Sequence, residues 1–238
     1  MLIDANENKE NSTTIIIFQN DDFAIVEKPT GIAMHAHEKG GEDTFLDALF
    51  ILFPESASIK NTMSLDNGES IALGGIVHRL DRDTSGIILY AKHNDSFLYF
   101  QKVFLEHIID KEYTALLYGI LPIEQRIIDK PLMRLKKSFR RTTDQNIGRG
   151  PKMEAYTSLF VQKAFENTTL VTLIPKTGRT HQLRAHMESI GHPIVGDVIY
   201  GRKDGDICAT DTRLMLHASK LSFIYKGEKY SFESEVKS

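Results

Sequence analysis

The residues best suited to chemistry lie at positions 75–86, in the sequence Gly-Ile-Val-His-Arg-Leu-Asp-Arg-Asp-Thr-Ser-Gly. Two carboxylates alternate there with two arginines, just before an apolar strand pattern: Asp81 and Asp83, Arg79 and Arg82. Polar turns that rigid strands hold in place are where catalytic groups are commonly found. An aspartate in such a turn can act as a nucleophile, whereas the commoner alternative is a surface salt bridge that contributes little.

A second candidate is an arginine on a predicted helix. Arg184 follows His181 by three residues, so both side chains would share one helical face. Thr180 is placed to cap this helix at its start, and Gly191 to end it. The alternative for Arg184 is an ordinary solvated helix arginine.

Charge is distributed unevenly along the chain. The net charge is −3, with 29 Lys and Arg against 32 Asp and Glu, but residues 134–152 carry +6 and the rest −9. A basic segment on an acidic protein is typical of contact with nucleic-acid phosphates, and a solvated charged loop is the alternative. The candidate contact residues in this basic segment are Arg134, Lys136, Lys137, Arg140 and Arg141.

The elements that must position these residues follow from hydrophobic periodicity and turn residues. Strands are predicted at 15–18, 23–26, 87–90, 113–118, 155–161, 170–174 and 215–218, with a closing hairpin at Lys226-Gly227. One helix is predicted at 44–53, and a second is capped by Asn94 or Asp95 with its apolar face over 97–108. Residues 55–73, rich in Ser, Asn and Asp, are predicted to form a loop insertion or a poorly ordered flap. Helices inserted between strands without strict alternation favour an α+β fold on a largely antiparallel or mixed sheet.

Composition limits the class of protein. Hydrophobic residues at 41% and charged residues at 26% exclude a disordered or collagen-like chain. We expect a flexible tail at 1–13 and one catalytic domain at 14–238. The lone cysteine, Cys208, excludes a cysteine-based zinc site. No signal-peptide pattern or bilayer-length apolar run is present, so we expect a cytoplasmic protein.

The segment His-Arg-Leu-Asp-Arg-Asp-Thr-Ser-Gly resembles the catalytic signature of the RluA-type pseudouridine synthases. Further stretches resemble that family in the same order, and the resemblance extends over about 14–225. These stretches are 27–35, 111–113, 176–186, 191–197 and 216–218.

The resemblance implies the pseudouridine synthase fold and an isomerase that acts on ribosomal or transfer RNA. Such an enzyme detaches uracil from the anomeric carbon of a uridine and rejoins it through a carbon. Asp81 is then the reactive carboxylate, through either a glycal route or covalent attack. The resemblance implies no cofactor. Several histidines, His78 among them, invite a metal interpretation, but His181 and His186 are five residues apart rather than three or four and no cysteine supports them, so we expect no metal. We also expect a monomer with no obligatory protein partner and no membrane association.

Roles for other residues come from the same resemblance. Tyr113 would stack on the uracil, and Arg79 would enter the gap left by the flipped base. His181 shares a helical face with Arg184, so it could line the same pocket and contact the RNA. Arg184 would keep Asp81 ionised, because a guanidinium within about 4–6 Å lowers the pKa of a carboxyl group. The basic segment falls where family members carry a loop that reaches into the RNA.

Two other classes of function stay open. The chain could be a non-catalytic RNA-binding factor, although the presence of Asp81, Tyr113 and Arg184 argues against this. It could also be a uridine-directed N-glycosidase, because a carboxylate near an anomeric carbon is glycosidase chemistry, and released uracil would identify it. We expect no accessory RNA-binding domain before the catalytic domain, which leaves the target uridine open.

Overall fold

The computed structural model describes residues 15–36, 43–64, 68, 70–122, 125–135, 138, 140–201 and 213–236. The expected tail at 1–13, as well as Lys136, Lys137 and Cys208, lies outside the described residues. The chain forms two compact units, Met1–Ile109 with Phe223–Ser234 and Asp110–Ser222 with Glu235–Ser238. The expectation of one catalytic domain at 14–238 stays a prediction.

Within the described ranges the chain contains 14 strands, three α-helices and one short 3-10 helix at Pro54–Ser58. The helices are α1 Phe45–Leu52, α2 Asn94–Leu105 and α3 Gln182–Ser189. The strands are β1 Ile15–Gln19, β2 Phe23–Lys28, β3 Thr62–Ser64, β4 Ser70–Ala72, β5 Ser85–Ala91, β6 Asp110–Tyr118, β7 Gln125–Asp129, β8 Leu132–Leu135, β9 Arg141–Thr142, β10 Gly148–Met153, β11 Tyr156–Ala164, β12 Thr168–Pro175, β13 Leu216–Tyr225 and β14 Glu228–Glu233. The longest of these helices, α2, has 12 residues, and none is long and apolar enough to cross a membrane.

The α+β prediction is confirmed, and the strand pairs whose registers are described run antiparallel. Each predicted strand and helix is found, with shifted ends. The strands β7 to β10 were not predicted, because they are short, carry charged residues and lack clear alternation. The expected loop insertion at 55–73 contains the 3-10 helix and a hairpin of β3 and β4.

In the first unit, β2 pairs with both β1 and β5. Every residue of β5 is buried, as expected for a strand inside the core. The ring of Phe100 on α2 packs edge-on against Phe23 of β2 at 5.4 Å and stacks on Tyr225 at 4.9 Å. This aromatic cluster packs α2 against β2 and the end of β13.

In the second unit, the strand order is β13-β6-β12-β11-β7, with residues 216–222 of β13 belonging to this unit. Helix α3 packs on this sheet through Leu183 and Met187, which join its hydrophobic core. Gly191, at φ +83°, ends the helix and donates its N–H to the Glu188 carbonyl at 2.9 Å, as predicted.

The predicted start of α3 is wrong. The residue at the N-cap is His181 in the left-handed conformation at φ 55°, not Thr180. The Gln182 side chain instead accepts hydrogen bonds from the Arg179 N–H and the Thr177 hydroxyl, so it closes the turn that precedes the helix.

Part of the basic segment forms a small three-stranded sheet rather than a loop. Its order is β10-β8-β9, with β8 in the centre. The sheet lies in the second unit and carries several of the arginines singled out from charge alone.

Candidate active site

The turn that carries Asp81 lies in the first unit, directly before β5. Asp81 is half-buried and Arg79 is exposed, whereas Leu80 between them is buried. An apolar side chain flanked by polar ones anchors the turn to the core and presents its neighbours outward. The structure therefore places the carboxylate on a fixed, partly desolvated turn.

A fully buried lysine, Lys28, donates hydrogen bonds to the backbone of the turn that carries Asp81. Lys28, the last residue of β2, donates from Nζ to the carbonyl oxygens of Pro29, Arg82 and Thr84 at 2.9, 2.8 and 3.0 Å. An ammonium group has three donors, so these contacts satisfy it completely. Lys28 thus fixes the backbone at Arg82 and Thr84, the residues on either side of Asp83. This stretch of backbone directly follows Asp81.

The turn after β2 adds further bonds to the same backbone. The Thr30 hydroxyl donates to the Asp83 carbonyl at 2.7 Å, and the Gly31 N–H donates to the Arg82 carbonyl at 3.0 Å. Arg82 returns a bond from Nε to the Gly31 carbonyl at 3.0 Å. Gly31 has φ +82°, a conformation that favours glycine, so the turn depends on its residue type.

His78 supports the start of the turn. Its Nε2 accepts the Leu89 N–H at 2.9 Å, so the ring proton lies on Nδ1, and the ring stacks on Phe104 at 4.5 Å. From sequence, this residue was one of several histidines that invited a metal interpretation. The structure gives it a supporting role.

Other histidines also take part in hydrogen bonds within the fold. His186 lies 2.9 Å from both the Thr157 hydroxyl and the Lys130 carbonyl, and His192 lies 2.8 Å from the Tyr118 carbonyl. In the part of the chain that the structure describes, no three His, Cys, Asp or Glu side chains group into a metal site. The expectation of a metal-free reaction stays a prediction.

The charge of Lys28 depends on its surroundings. Burial lowers the pKa of Lys28 from 10.5 to about 8, against the opposing effect of the Asp83 and Asp81 carboxylates. In the unfolded chain the lysine keeps its ordinary pKa. Between pH 8 and 10.5 the unfolded state therefore binds more protons than the folded state, and stability rises with pH across this window.

We therefore expect the parent to gain stability relative to Lys28→Met as pH rises from about 8 to 10.5, by up to roughly 3 kcal/mol. Urea unfolding of both proteins at half-unit pH steps measures this difference. Lys60→Met, at an exposed position of the same unit, is the control and should show no such trend. A flat difference for Lys28→Met would mean that the lysine is not buried as a charged group.

In the second unit, Arg184 is bound by a carboxylate that sequence reasoning missed. Its Nε and Nη2 donate to the two oxygens of Asp197 at 2.7 and 2.8 Å, and the arginine side chain is only 2% exposed. The solvated alternative for Arg184 is therefore wrong. Burial acts to raise the pKa of Asp197, but Arg184 and the N–H groups of Tyr200 and Ile199 hold it below its ordinary value.

Four of the predicted site residues converge on Tyr200, which was not predicted. The guanidinium groups of Arg184 and Arg140 lie 5.4 and 4.9 Å from its ring centroid. Its hydroxyl accepts the Arg141 N–H at 2.7 Å and lies 3.1 Å from His181 Nδ1. Burial raises the pKa of Tyr200 to about 12, so the phenol stays protonated and can donate to the histidine.

Arg140 has a structural contact as well. Its Nη2 lies 2.7 Å from Glu188 Oε1 on α3, so the residue that directly precedes β9 is tied to this helix. The picture of a wholly solvated loop is therefore wrong for Arg140. Its role in RNA binding stays a prediction.

Tyr113 is half-buried in β6, opposite Leu173 of β12 and Ala218 of β13. It belongs to the second unit with Arg184, whereas Asp81 belongs to the first. The expected ion pair between Asp81 and Arg184 stays a prediction, as do the roles of Tyr113 and Arg79.

Comparison with known proteins gives consistent matches. The sequence profile described as RNA pseudouridylate synthase matches residues 22–189. The ribosomal large subunit pseudouridine synthase C of Buchnera aphidicola subsp. Schizaphis graminum is 34% identical over 225 residues, which cover 92% of this chain and 65% of that protein. The ribosomal large subunit pseudouridine synthase D of Zymomonas mobilis is 32% identical over 228 residues, covering 93% and 68%.

Solved structures also match along most of this chain. Human RNA Pseudouridylate Synthase Domain Containing 1 matches with a TM-score of 0.75 and 26% identity, over 94% of this chain and 83% of that chain. The present chain spans about two thirds of the length of the curated relatives that it matches.

Proposed function

Because this chain belongs to the RNA pseudouridylate synthase family, we propose that it isomerises uridine to pseudouridine in structured RNA. The observation that carries the proposal is the family match over 22–189, which includes the anchored turn with Asp81. The membership also agrees with the resemblance to RluA-type enzymes noted in the sequence.

The proposed reaction needs a carboxylate and no redox partner. The bond between the anomeric carbon and a uracil nitrogen breaks, and a bond from the anomeric carbon to a uracil carbon forms. That carbon loses a proton and the detached nitrogen gains one, so the overall reaction is an isomerisation. Asp81 acts on the sugar or the base while the anomeric centre is electron-poor. Its anchored turn keeps the carboxylate in position through both steps, which is what a reaction with a detached intermediate requires.

The remaining roles concern access to the base. A glycosidic bond inside a stacked helix is inaccessible, so the target nucleotide must be extruded. Arg79, exposed two residues before Asp81, fills the space that the base leaves. Tyr113 stacks on the extruded uracil, an interaction that contributes about 1–3 kcal/mol in other single-strand binding proteins.

The substrate we favour is ribosomal RNA, since two of the relatives carry large-subunit names. Transfer RNA is the second candidate. We further propose that the protein acts in the cytoplasm as a monomer.

The test is direct mapping of pseudouridine. Purified protein should introduce pseudouridine into ribosomal RNA transcripts, and the same position should lack it in cells without the gene. Mass spectrometry of nuclease digests detects the product and any released base. Free uracil would identify an N-glycosidase, and stable binding without any chemical change would identify a non-catalytic RNA-binding factor.

A further inference from the structure

Three arginines form a row across the small sheet of the second unit. Arg134 on the central strand β8 lies opposite Arg141 of β9 and opposite Arg149 of β10. Directly opposed residues of antiparallel strands project from the same face, with Cβ atoms about 4.5–5.5 Å apart. The register therefore places three arginine side chains next to one another on the same face of the sheet.

Such a row is unfavourable for the fold by itself. Like charges at opposed positions of a sheet destabilise it. A bound anion would reverse the effect, because each guanidinium can hold phosphate oxygens through charge-assisted hydrogen bonds. The row is thus better explained by a ligand than by stability.

The row lines a cavity of about 430 Å³, and Arg179 adds a fourth guanidinium to its wall. No carboxylate is among the described residues that line it. Apolar side chains form the rest of the wall, chiefly Leu132, Pro151 and Met153. The cavity therefore combines a cationic side with an apolar side, which matches the two parts of a nucleotide.

Backbone carbonyls orient the cationic side. Arg134 donates from Nε to Ser138 at 3.3 Å, and Arg179 donates from Nε to Glu154 at 3.1 Å. A carbonyl oxygen that accepts from Nε directs the guanidinium through a hydrogen bond. The register of β10 also shifts between Arg149 and Met153, so the regular pairing with β8 is interrupted after Arg149.

We propose that this arginine pocket binds one unpaired nucleotide of the RNA substrate other than the target uridine. Its phosphate contacts the arginines, and its base lies on the apolar wall. The proposal rests on the proposed function and names a second contact for the same RNA. The volume suits a small ligand, which typically occupies a pocket of 300–1,000 Å³.

The test measures RNA affinity against salt concentration. The probe is a fluorescein-labelled single-stranded 12-mer of uridine, and fluorescence anisotropy gives its Kd for the full chain. Arg134→Gln with Arg149→Gln should weaken binding about tenfold or more at low salt. The log–log salt slope should fall by about 1.4, since each lost contact to a single strand removes roughly 0.7.

The matched control removes two charges elsewhere in the same unit. Arg126→Gln with Lys163→Gln changes exposed strand positions and should leave the slope within about 0.3 of the parent. An equal fall in the control and the test variant would make the effect one of net charge and overturn the pocket. Arg149→Gln alone, at an exposed position, is the substitute if the double variant fails to fold.

Two further measurements test whether the pocket binds an unpaired base as well as a phosphate. Met153→Ser should weaken binding of the 12-mer about fivefold without changing the slope, because it removes apolar contact only. A blunt RNA duplex of 12 base pairs should be far less sensitive to the double arginine change. Equal sensitivity of duplex and single strand would overturn binding of an unpaired nucleotide.

Pseudouridine mapping of the parent separates the two proposals. Turnover with an unchanged salt slope in the double variant would refute the pocket and leave the enzyme function standing. A reduced slope without turnover in the parent would support the pocket and refute the enzyme function.

Discussion

Asp81→Asn should abolish pseudouridine formation while the protein still folds and binds RNA. The amide has the shape of the carboxylate but lacks its charge and nucleophilicity. Removing one transition-state group lowers the rate by about 10²–10³ in known cases, and a missing nucleophile should lower it further. The contacts of Lys28 and Thr30 to this turn use backbone oxygens, so the substitution leaves them in place.

The matched control is Asp83→Asn, which removes a half-buried carboxylate two residues away in the same turn. Its turnover should fall less than about tenfold, because the reactive group remains. Single-turnover rates on a ribosomal RNA transcript, with thermal midpoints for all three proteins, give the comparison. Turnover of Asp81→Asn above about a hundredth of the parent rate would contradict the nucleophile assignment.

Arg184→Met should lower the free energy of unfolding by about 3–5 kcal/mol. The Arg184 guanidinium donates from Nε and Nη2 to the two oxygens of the Asp197 carboxylate, and both side chains are almost fully buried. Methionine leaves that carboxylate in an apolar site with only the N–H groups of Ile199 and Tyr200. Denaturant unfolding at pH 7 measures the loss.

A double-mutant cycle shows whether the pair itself is responsible. Arg184→Met combined with Asp197→Leu should lose less stability than the sum of the single changes, because the orphaned charge is removed. Arg126→Met, at an exposed strand position, should stay within about 0.5 kcal/mol of the parent. A loss below about 1 kcal/mol for Arg184→Met would show that the pair does not hold this region together.

Because Arg184 is already bound by Asp197, the proposal that Arg184 keeps Asp81 ionised needs a test of its own. A guanidinium that already has a carboxylate partner presents a weaker net field to a second one. Arg184→Lys keeps a charge but loses the planar fork, so it is the milder variant. A shift of its pH–rate profile to higher pH would support a positioning role toward Asp81, whereas a parent-like profile would leave Arg184 a purely structural role.

Features that depend on neighbouring residues could be predicted from the sequence. The apolar periodicity of α2, the alternation in β11 and β12, and the end of α3 at Gly191 each reflect local geometry. The turn with Asp81 was identifiable for the same reason, because its arginines, carboxylates and following strand are contiguous. The start of α3 was predicted wrongly because a left-handed residue at His181 leaves no signal in residue type.

The tertiary structure determines which residues a side chain contacts. Lys28 reaches backbone that is 54 and 56 positions away, and this depends on β2 being the neighbour of β5. The row of Arg134, Arg141 and Arg149 exists only because one register was chosen among several for three short strands. Spacing along a chain fixes the face on which a side chain lies, but the residue opposite it depends on strand order and register, which the packing of the whole core selects.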